Sequence, residues 1–397
     1  MPTDGNAAAF KTEPTMLDHA RPSWPSGDTC SRKVGRHHEL DGIRAIACVL
    51  VVIHHSFTSA ASSFVSHFSH SASQLLFFTT ASGVECFFCL SGFILVYPYV
   101  IGEKPLRLKP YVTSRLRRIY PPFIVAWLLA GMVQYVVTSC PTWYSRSLPE
   151  FNTSAWLSQF NIFTLLGCSA LYNGAWWSLA VECVWYALVP AVVWGCKRFK
   201  ALRLSAVWMA ITAATLPLSL VVCDWASVTP VALYGSAQAL ACFLAFATCF
   251  TSAIWLLVCY TGIAGLWVCG GVGIALILYC GLSCDFGLIH GGFGLFWASI
   301  IGLCMRIPSL RSLVSTPRLV WLGDRSYSLF LTHCTVFVAT NWVVSLWTPS
   351  RTATYGFATR AIGLPLALCV AVMLFWYVER HFSGRLTTAN DFWPPRG

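Results

Sequence analysis

Residues 40–60 read Leu40-Asp41-Gly42-Ile43-Arg44-Ala45-Ile46-Ala47-Cys48-Val49-Leu50-Val51-Val52-Ile53-His54-His55-Ser56-Phe57-Thr58-Ser59-Ala60. The only formal charges, Asp41 and Arg44, sit together at one end. At about 1.5 Å of rise per residue this run reaches across a hydrocarbon core roughly 30 Å thick. Residues 1–38, which precede it, are polar and rich in Pro, Ser and charge, so they read as a disordered tail. They hold no apolar core of signal-peptide length, and the run beginning near Leu40 is therefore the first insertion signal.

The same pattern recurs along the chain. Further runs of spanning length lie near 75–99, 119–139, 176–195, 203–222, 229–249, 253–280, 286–305, 324–347 and 358–379. The break between the sixth and seventh is faint, because Tyr234 to Cys280 has almost no polar break. Of the 397 residues 56% are hydrophobic and only 10% charged, with a mean hydropathy of +0.64. Soluble domains carry about 25% charged residues, so lipid is the expected solvent here. The fold class expected is all-α: a polytopic transmembrane bundle of about ten helices over residues 39–381, followed by a short tail, 382–397. The 18 Trp suit two interfacial belts.

Charge orients the bundle. With the N-terminus cytosolic, all of the 26 Lys and Arg except Arg146, Arg351 and Arg360 fall on the cytosolic side or its helix ends. This is the positive-inside pattern, and it places both termini in the cytosol. The net charge of +11 is thereby spent on orientation, and no nucleic-acid partner is expected. Asn152-Thr153-Ser154, the one N-x-S/T triplet, lies in the long third loop, which the same rule puts outside. It makes Asn152 a candidate glycosylation site and points to a eukaryotic endomembrane or plasma membrane. In that loop Cys140 and Cys168 either pair or remain free thiols. Cys86 and Cys89 form a CxxC without a second pair, and no metal site is expected from it.

Ionisable groups at membrane depth are functional candidates by default. In the first helix, Arg44 and His55 are eleven residues apart, a net rotation of about 20° and a rise of about 16 Å. Asp41 lies a turn before Arg44 on nearly the same stripe, whereas His54 is turned about 80° away. One face thus carries an acid and a guanidinium at the cytosolic end and an imidazole deep in the membrane. Two readings fit: Arg44 holds an anion and His55 is a general base, or Asp41 and Arg44 form a structural ion pair and His55 is a core residue. The second helix buries Glu85 and the small pair Ser91-Gly92, and the fourth opens Trp176-Trp177-Ser178 and then buries Glu182. At the start of the third, Arg115 and Arg118 share a face while Arg117 points away; the pair is either ordinary orienting charge or a phosphate clamp.

Five ordered segments resemble the acyltransferase 3 family of integral membrane acyltransferases. They are Leu40-Asp41-Gly42-Ile43-Arg44-Ala45-Ile46-Ala47 with His55; Phe87-Phe88-x-Leu90-Ser91-Gly92-Phe93; Arg115-x-x-Arg118-Ile119-Tyr120-Pro121; Trp177-Ser178-Leu179-x-x-Glu182; and Leu322-Gly323-Asp324-Arg325-Ser326-Tyr327-Ser328-Leu329-Phe330-Leu331-x-His333. The likeness runs from about residue 38 to 380. It implies that His55 is catalytic and that Arg44, Arg115 and Arg118 serve an acyl-CoA co-substrate, acetyl-CoA by family habit. Glu85 stands where the family more often has Asp, and Glu379-Arg380-His381 replaces its usual Glu-Pro. The expected reaction moves an acyl group from acyl-CoA to the hydroxyl of a small molecule, lipid or sugar. Glu85 or Glu182 would orient His55, and Trp177, Ser178 and Ser91 would line the acceptor pocket. The alternative, a proton-coupled transporter, would bury the same acids along a relay, but the internal repeat such proteins often show is missing.

Overall fold

The computed structural model describes residues 37–59, 70–100, 104–165, 172–198, 243–258 apart from 245, 262–283, 288–350 and 352–382, with isolated positions 210, 211 and 214. Among the described residues there is no strand. Among the described residues, eight helices are long and apolar enough to cross a membrane. The expected span 203–222 lies outside the described residues apart from those three positions.

Helix α1, His38–Ser59, is the first apolar run, and it carries Glu39 and Asp41 in its first turn, where the positive end of the helix dipole favours acids. α2, His70–Ala81, and α3, Gly83–Val100, are separated at Ser82, whose hydroxyl donates to the carbonyl of Thr79 at 2.7 Å. Together they supply one span, Leu75–Val100. α4 runs Leu108–Ser139, eleven residues further back than the apolar run begins. Hydropathy ends where the arginines begin, but the one proline before Arg118, Pro110, lies in the first turn, where its missing amide breaks no helical bond, so Arg115, Arg117 and Arg118 are helical. Pro121 and Pro122 lack the amides that would meet the carbonyls of Arg117 and Arg118.

After the short α5, Thr153–Ser158, come α6, Trp177–Arg198, and α7, the apolar helix Phe246–Leu257. α8 covers Ile263–Ser283 and α9 Ile289–Arg306. Two sequence boundaries are corrected here. The tail of the expected span 229–249 belongs to α7, and the expected span 253–280 starts only at Ile263, just after Gly262. An unbroken apolar run has no hydropathy minimum to mark such a joint. α10, Pro308–Val314, and α11, Pro317–Asp324, are short and each opens on proline, whose missing amide costs nothing in a first turn. α12 spans Ser326–Ser345, and α13, Ala353–Leu374, continues through a wider turn at Phe375–Glu379 to Phe382.

α1 and α12 form the centre. α1 packs on α3, α11 and α12, and α12 also packs on α4 and α13. The span window of α12 is 78% buried and that of α8 only 17%, so α8 turns Trp267, Val268 and Leu282 outward as a lipid-facing helix would. Three glycines let backbones meet at α1. A side chain on Gly42 would overlap the carbonyl oxygen of Val314, one on Gly323 that of Asp41, and one on Gly83 that of Ala47. Small residues at such crossings are how membrane helices approach closely.

Candidate active site

A cavity of about 870 Å3, counted to its open mouth, lies among α1, α3, α4, α6 and α12. Arg44, Arg115 and Arg118 all line it, as do Ser91, Ser178 and Glu182. Residues from five separated segments of the chain are therefore gathered on one space. Arg44 makes the ion pair of the structural reading, its Nη1 donating to Asp41 Oδ1 at 2.9 Å, and it also borders the cavity. Arg115 lies 5.4 Å from the ring centre of Tyr111 and 5.6 Å from that of Tyr186, within cation–π range. Its Nε is buried without a hydrogen-bond partner among the described residues. Glu182 Oε1 accepts from Ser91 Oγ at 3.1 Å and from the Tyr186 hydroxyl at 2.5 Å. The cavity thus carries three cations and one acid that is already engaged, a balance suited to a multiply charged anion.

His55 lies deeper on α1 and is not part of the cavity wall. Its Nδ1 is 2.9 Å from the carbonyl oxygen of Val51 and 3.3 Å from His333 Nε2. A carbonyl can only accept, so His55 carries its proton on Nδ1. The same logic applies to fully buried His333, whose Nδ1 is 3.0 Å from the carbonyl oxygen of Leu329. His333 Nε2 therefore presents a lone pair to His55 Nδ1, and the basic nitrogen of His55 is Nε2. The neighbourhood of His333 is held firmly. Asn173 Nδ2 and Trp176 Nε1 both donate to the carbonyl of Leu331, at 3.0 and 3.1 Å. Between cavity and imidazoles stand two rings: Phe87 and Phe330, both in the cavity wall, have centroids 6.3 Å apart, and Phe330 lies 6.2 Å from His333.

The other predicted residues fall as follows. Glu85 meets His290 rather than His55, with Oε1 and Nδ1 2.7 Å apart on the far side of α3. Glu182 stays with the arginines, so neither acid is brought to His55. Ser178 lines the cavity and donates to the carbonyl of Ala175 at 3.2 Å. Trp177 packs instead on Phe246, at 5.1 Å between centroids. Asn152 is exposed and caps α5, its Oδ1 accepting from the amide of Ala155 at 2.9 Å. Cys140 is an exposed free thiol, and Cys168 lies outside the described residues. Two residues gain a place that the sequence reading did not give them. One is His333, present in the last quoted segment without a role. The other is Glu379, buried and accepting from Ser328 Oγ at 2.6 Å.

The protein is thus a multi-pass helical bundle that gathers three arginines on a cavity, with a paired imidazole behind them. The chain belongs to the acyltransferase 3 family: that family's model, an acyltransferase domain, matches residues 37–379. A curated relative is the peptidoglycan O-acetyltransferase OatA of Listeria monocytogenes, 26% identical over 352 residues that cover 78% of this chain and 51% of that protein. The chain thus spans about half the length of that relative. No solved structure matches it.

Proposed function

We propose that this protein is an O-acyltransferase that carries an acyl group, acetyl in the simplest case, from acyl-CoA to the hydroxyl of a small-molecule, lipid or sugar acceptor. The observation that carries the reading is the His55–His333 pair, which leaves a lone pair on His55 Nε2 at the end of a helix whose other end borders the arginine cavity. Acyl-CoA enters from the cytosol, the side assigned to Arg44, Arg115 and Arg118 by the charge bias. Its phosphates take the guanidinium groups, and the thioester extends past Phe87 and Phe330.

His55 Nε2 removes the acceptor's hydroxyl proton as the oxygen attacks the thioester carbonyl. The carbon–sulfur bond breaks, the CoA thiolate leaves, and the imidazolium returns the proton to it. His333 accepts from Nδ1 and so steadies both the tautomer and the developing cation, the part an acid plays beside histidine in hydrolase triads. Glu182 holds Ser91 and Tyr186 in the wall near the arginines, a positioning part rather than the orientation of His55. Asn152, exposed in the third loop, suits an N-linked glycan if that loop is lumenal.

The test is the His55→Ala protein, purified in detergent and given labelled acetyl-CoA with extract of the producing cells as acceptor. Transfer should fall by about 10²–10⁴-fold, the usual worth of a positioned general base, with the yield of monodisperse protein unchanged. Transfer at the wild-type rate would remove His55 from the chemistry.

A further inference from the structure

Beside the pair just described stands a thiol that the proposed reaction does not use. Cys334 Sγ is 3.3 Å from His333 Nε2, the atom that also lies 3.3 Å from His55 Nδ1. The three donor atoms all fall within 4.8 Å of one another. His333 Nε2 has one lone pair, yet both an N–H and an S–H group lie within reach of it. Two protons competing for one lone pair is the arrangement that a single cation relieves, because each of the three atoms can then turn a lone pair toward one centre.

The dimensions fit a particular class of ion. With bonds of about 2.0 Å to nitrogen and 2.3 Å to sulfur, a tetrahedral zinc centre holds its ligand atoms roughly 3.3–3.6 Å apart. The two separations from His333 Nε2, 3.3 Å each, lie at the short end of that range, and the third is within 4.8 Å. Two imidazoles and a thiol form a borderline-soft set, which favours zinc or copper over magnesium and calcium. Cys334 and His333 are both on α12 and buried, and His55 comes from α1, so the set is built across the central helix pair.

We propose that His55, His333 and Cys334 form a binding site for a thiophilic cation of the zinc type, and that its occupancy switches the enzyme off. Binding exchanges charge in a defined way. The Cys334 thiol gives up its proton as the metal–sulfur bond forms, and that proton is released to bulk water, so binding weakens as pH falls. His55 stays neutral but moves its proton from Nδ1 to Nε2, since Nδ1 must give its lone pair to the metal. Val51 loses its donor, which limits the affinity. The inhibitory half of this inference rests on the proposed role of His55: with Nε2 protonated and Nδ1 coordinated, no nitrogen remains to accept a hydroxyl proton.

The experiment uses the full-length protein in detergent, titrated with Co2+ alone. Tetrahedral cobalt bound by thiolate gives intense visible bands, and the difference between wild type and Cys334→Ser isolates this site among the 18 cysteines. One equivalent of tetrahedral cobalt is expected in wild type and none in Cys334→Ser, Cys334→Ala or His55→Ala. Two cysteine variants guard against a folding defect in either, and both should elute as wild type does. Zinc should displace the cobalt and inhibit transfer from acetyl-CoA. Cys334→Ser, fully active without metal, should need more than about tenfold more zinc for half-inhibition. Bands that persist in both cysteine variants, or never form in wild type, overturn the site while leaving the His55→Ala result untouched. Bands that form while the loaded protein turns over at full rate overturn the switch and, with it, the assignment of His55 as base.

Discussion

Replacement of His333 separates the proposed chemistry from a simpler account in which any disturbance near His55 is fatal. His333→Leu removes the acceptor at 3.3 Å from His55 Nδ1 while filling much of the buried volume. The carbonyl of Val51, at 2.9 Å, remains, so the tautomer of His55 is still fixed. What is lost is one of two acceptors shared by a single N–H. A neutral hydrogen bond contributes about 0.5–1.5 kcal/mol net. At about 1.36 kcal/mol per decade of rate, kcat should fall roughly two- to thirteenfold, far less than for His55→Ala. His333→Gln can return an amide oxygen to the same place and should recover most of that loss. The assay is steady-state turnover of labelled acetyl-CoA by purified protein with cell extract as acceptor, scored as kcat and KM separately. KM for acetyl-CoA should stay near the wild-type value, since His333 lies beyond the arginine cavity. A folded His333→Leu protein as inactive as His55→Ala would refute the reasoning, as would a Gln variant no better than Leu.

Two further predictions concern the ends of the site. Arg118→Gln and Arg115→Gln each remove a cation from the cavity wall; at about 1.5–3 kcal/mol for a charged hydrogen bond, KM for acetyl-CoA should rise roughly 13- to 160-fold with kcat nearly unchanged. An unaltered KM in both would show that the cavity does not hold the donor. Gly323→Ala would press a methyl group into the carbonyl oxygen of Asp41, where backbone on both sides must yield. Overpacking of this kind costs about 1–3 kcal/mol, and Tm in detergent should drop accordingly. A Tm equal to wild type would mean that α1 and α11 are less closely apposed.

Local pattern made much of this legible. Spanning runs reveal themselves through hydropathy, and the eleven-residue interval from Arg44 to His55 places both on one stripe by helix geometry alone. The arginines of α4 share a face by the same arithmetic, and the cavity does hold Arg115 and Arg118 together. What the sequence hides are the pairings between distant segments. His55 and His333 are 278 residues apart, and Glu85 and His290 are 205 apart. A buried acid announces that it needs a partner, but not which one, and Glu85 was paired in expectation with the wrong neighbourhood for that reason. The joint between α7 and α8 stayed hidden because apolar residues continue through it. Trp177 illustrates a third limit: its place beside Ser178 in the chain says nothing of direction, and at 100° per residue one lines the cavity while the other packs on Phe246.

The glycines around α1 tie these observations into one mechanical picture. The proposed reaction holds a long, charged donor at one place and breaks its thioester at another, so it depends on the distance between the two, which α1 would set. Arg44 and His55 are separated by a rise of about 16 Å, a length on the scale of four to five extended residues, which is comparable with the pantetheine arm that joins the CoA phosphates to sulfur. A ruler works only if it does not slide. Gly42 sits under the carbonyl of Val314, Gly323 under that of Asp41, and Gly83 under that of Ala47, so the helix is gripped on two sides within its first ten residues. Further along, Cys48 Sγ donates to the carbonyl of Ser326 at 3.5 Å, and His55 is met by His333. Backbone-to-backbone contact tolerates no rotameric slack, unlike contact through long side chains. The short motifs Leu40-Asp41-Gly42 and Leu322-Gly323-Asp324 are then two halves of one crossing. Their function is to fix where the first helix stands relative to α12, and so to hold the imidazole at a set depth beyond the arginines.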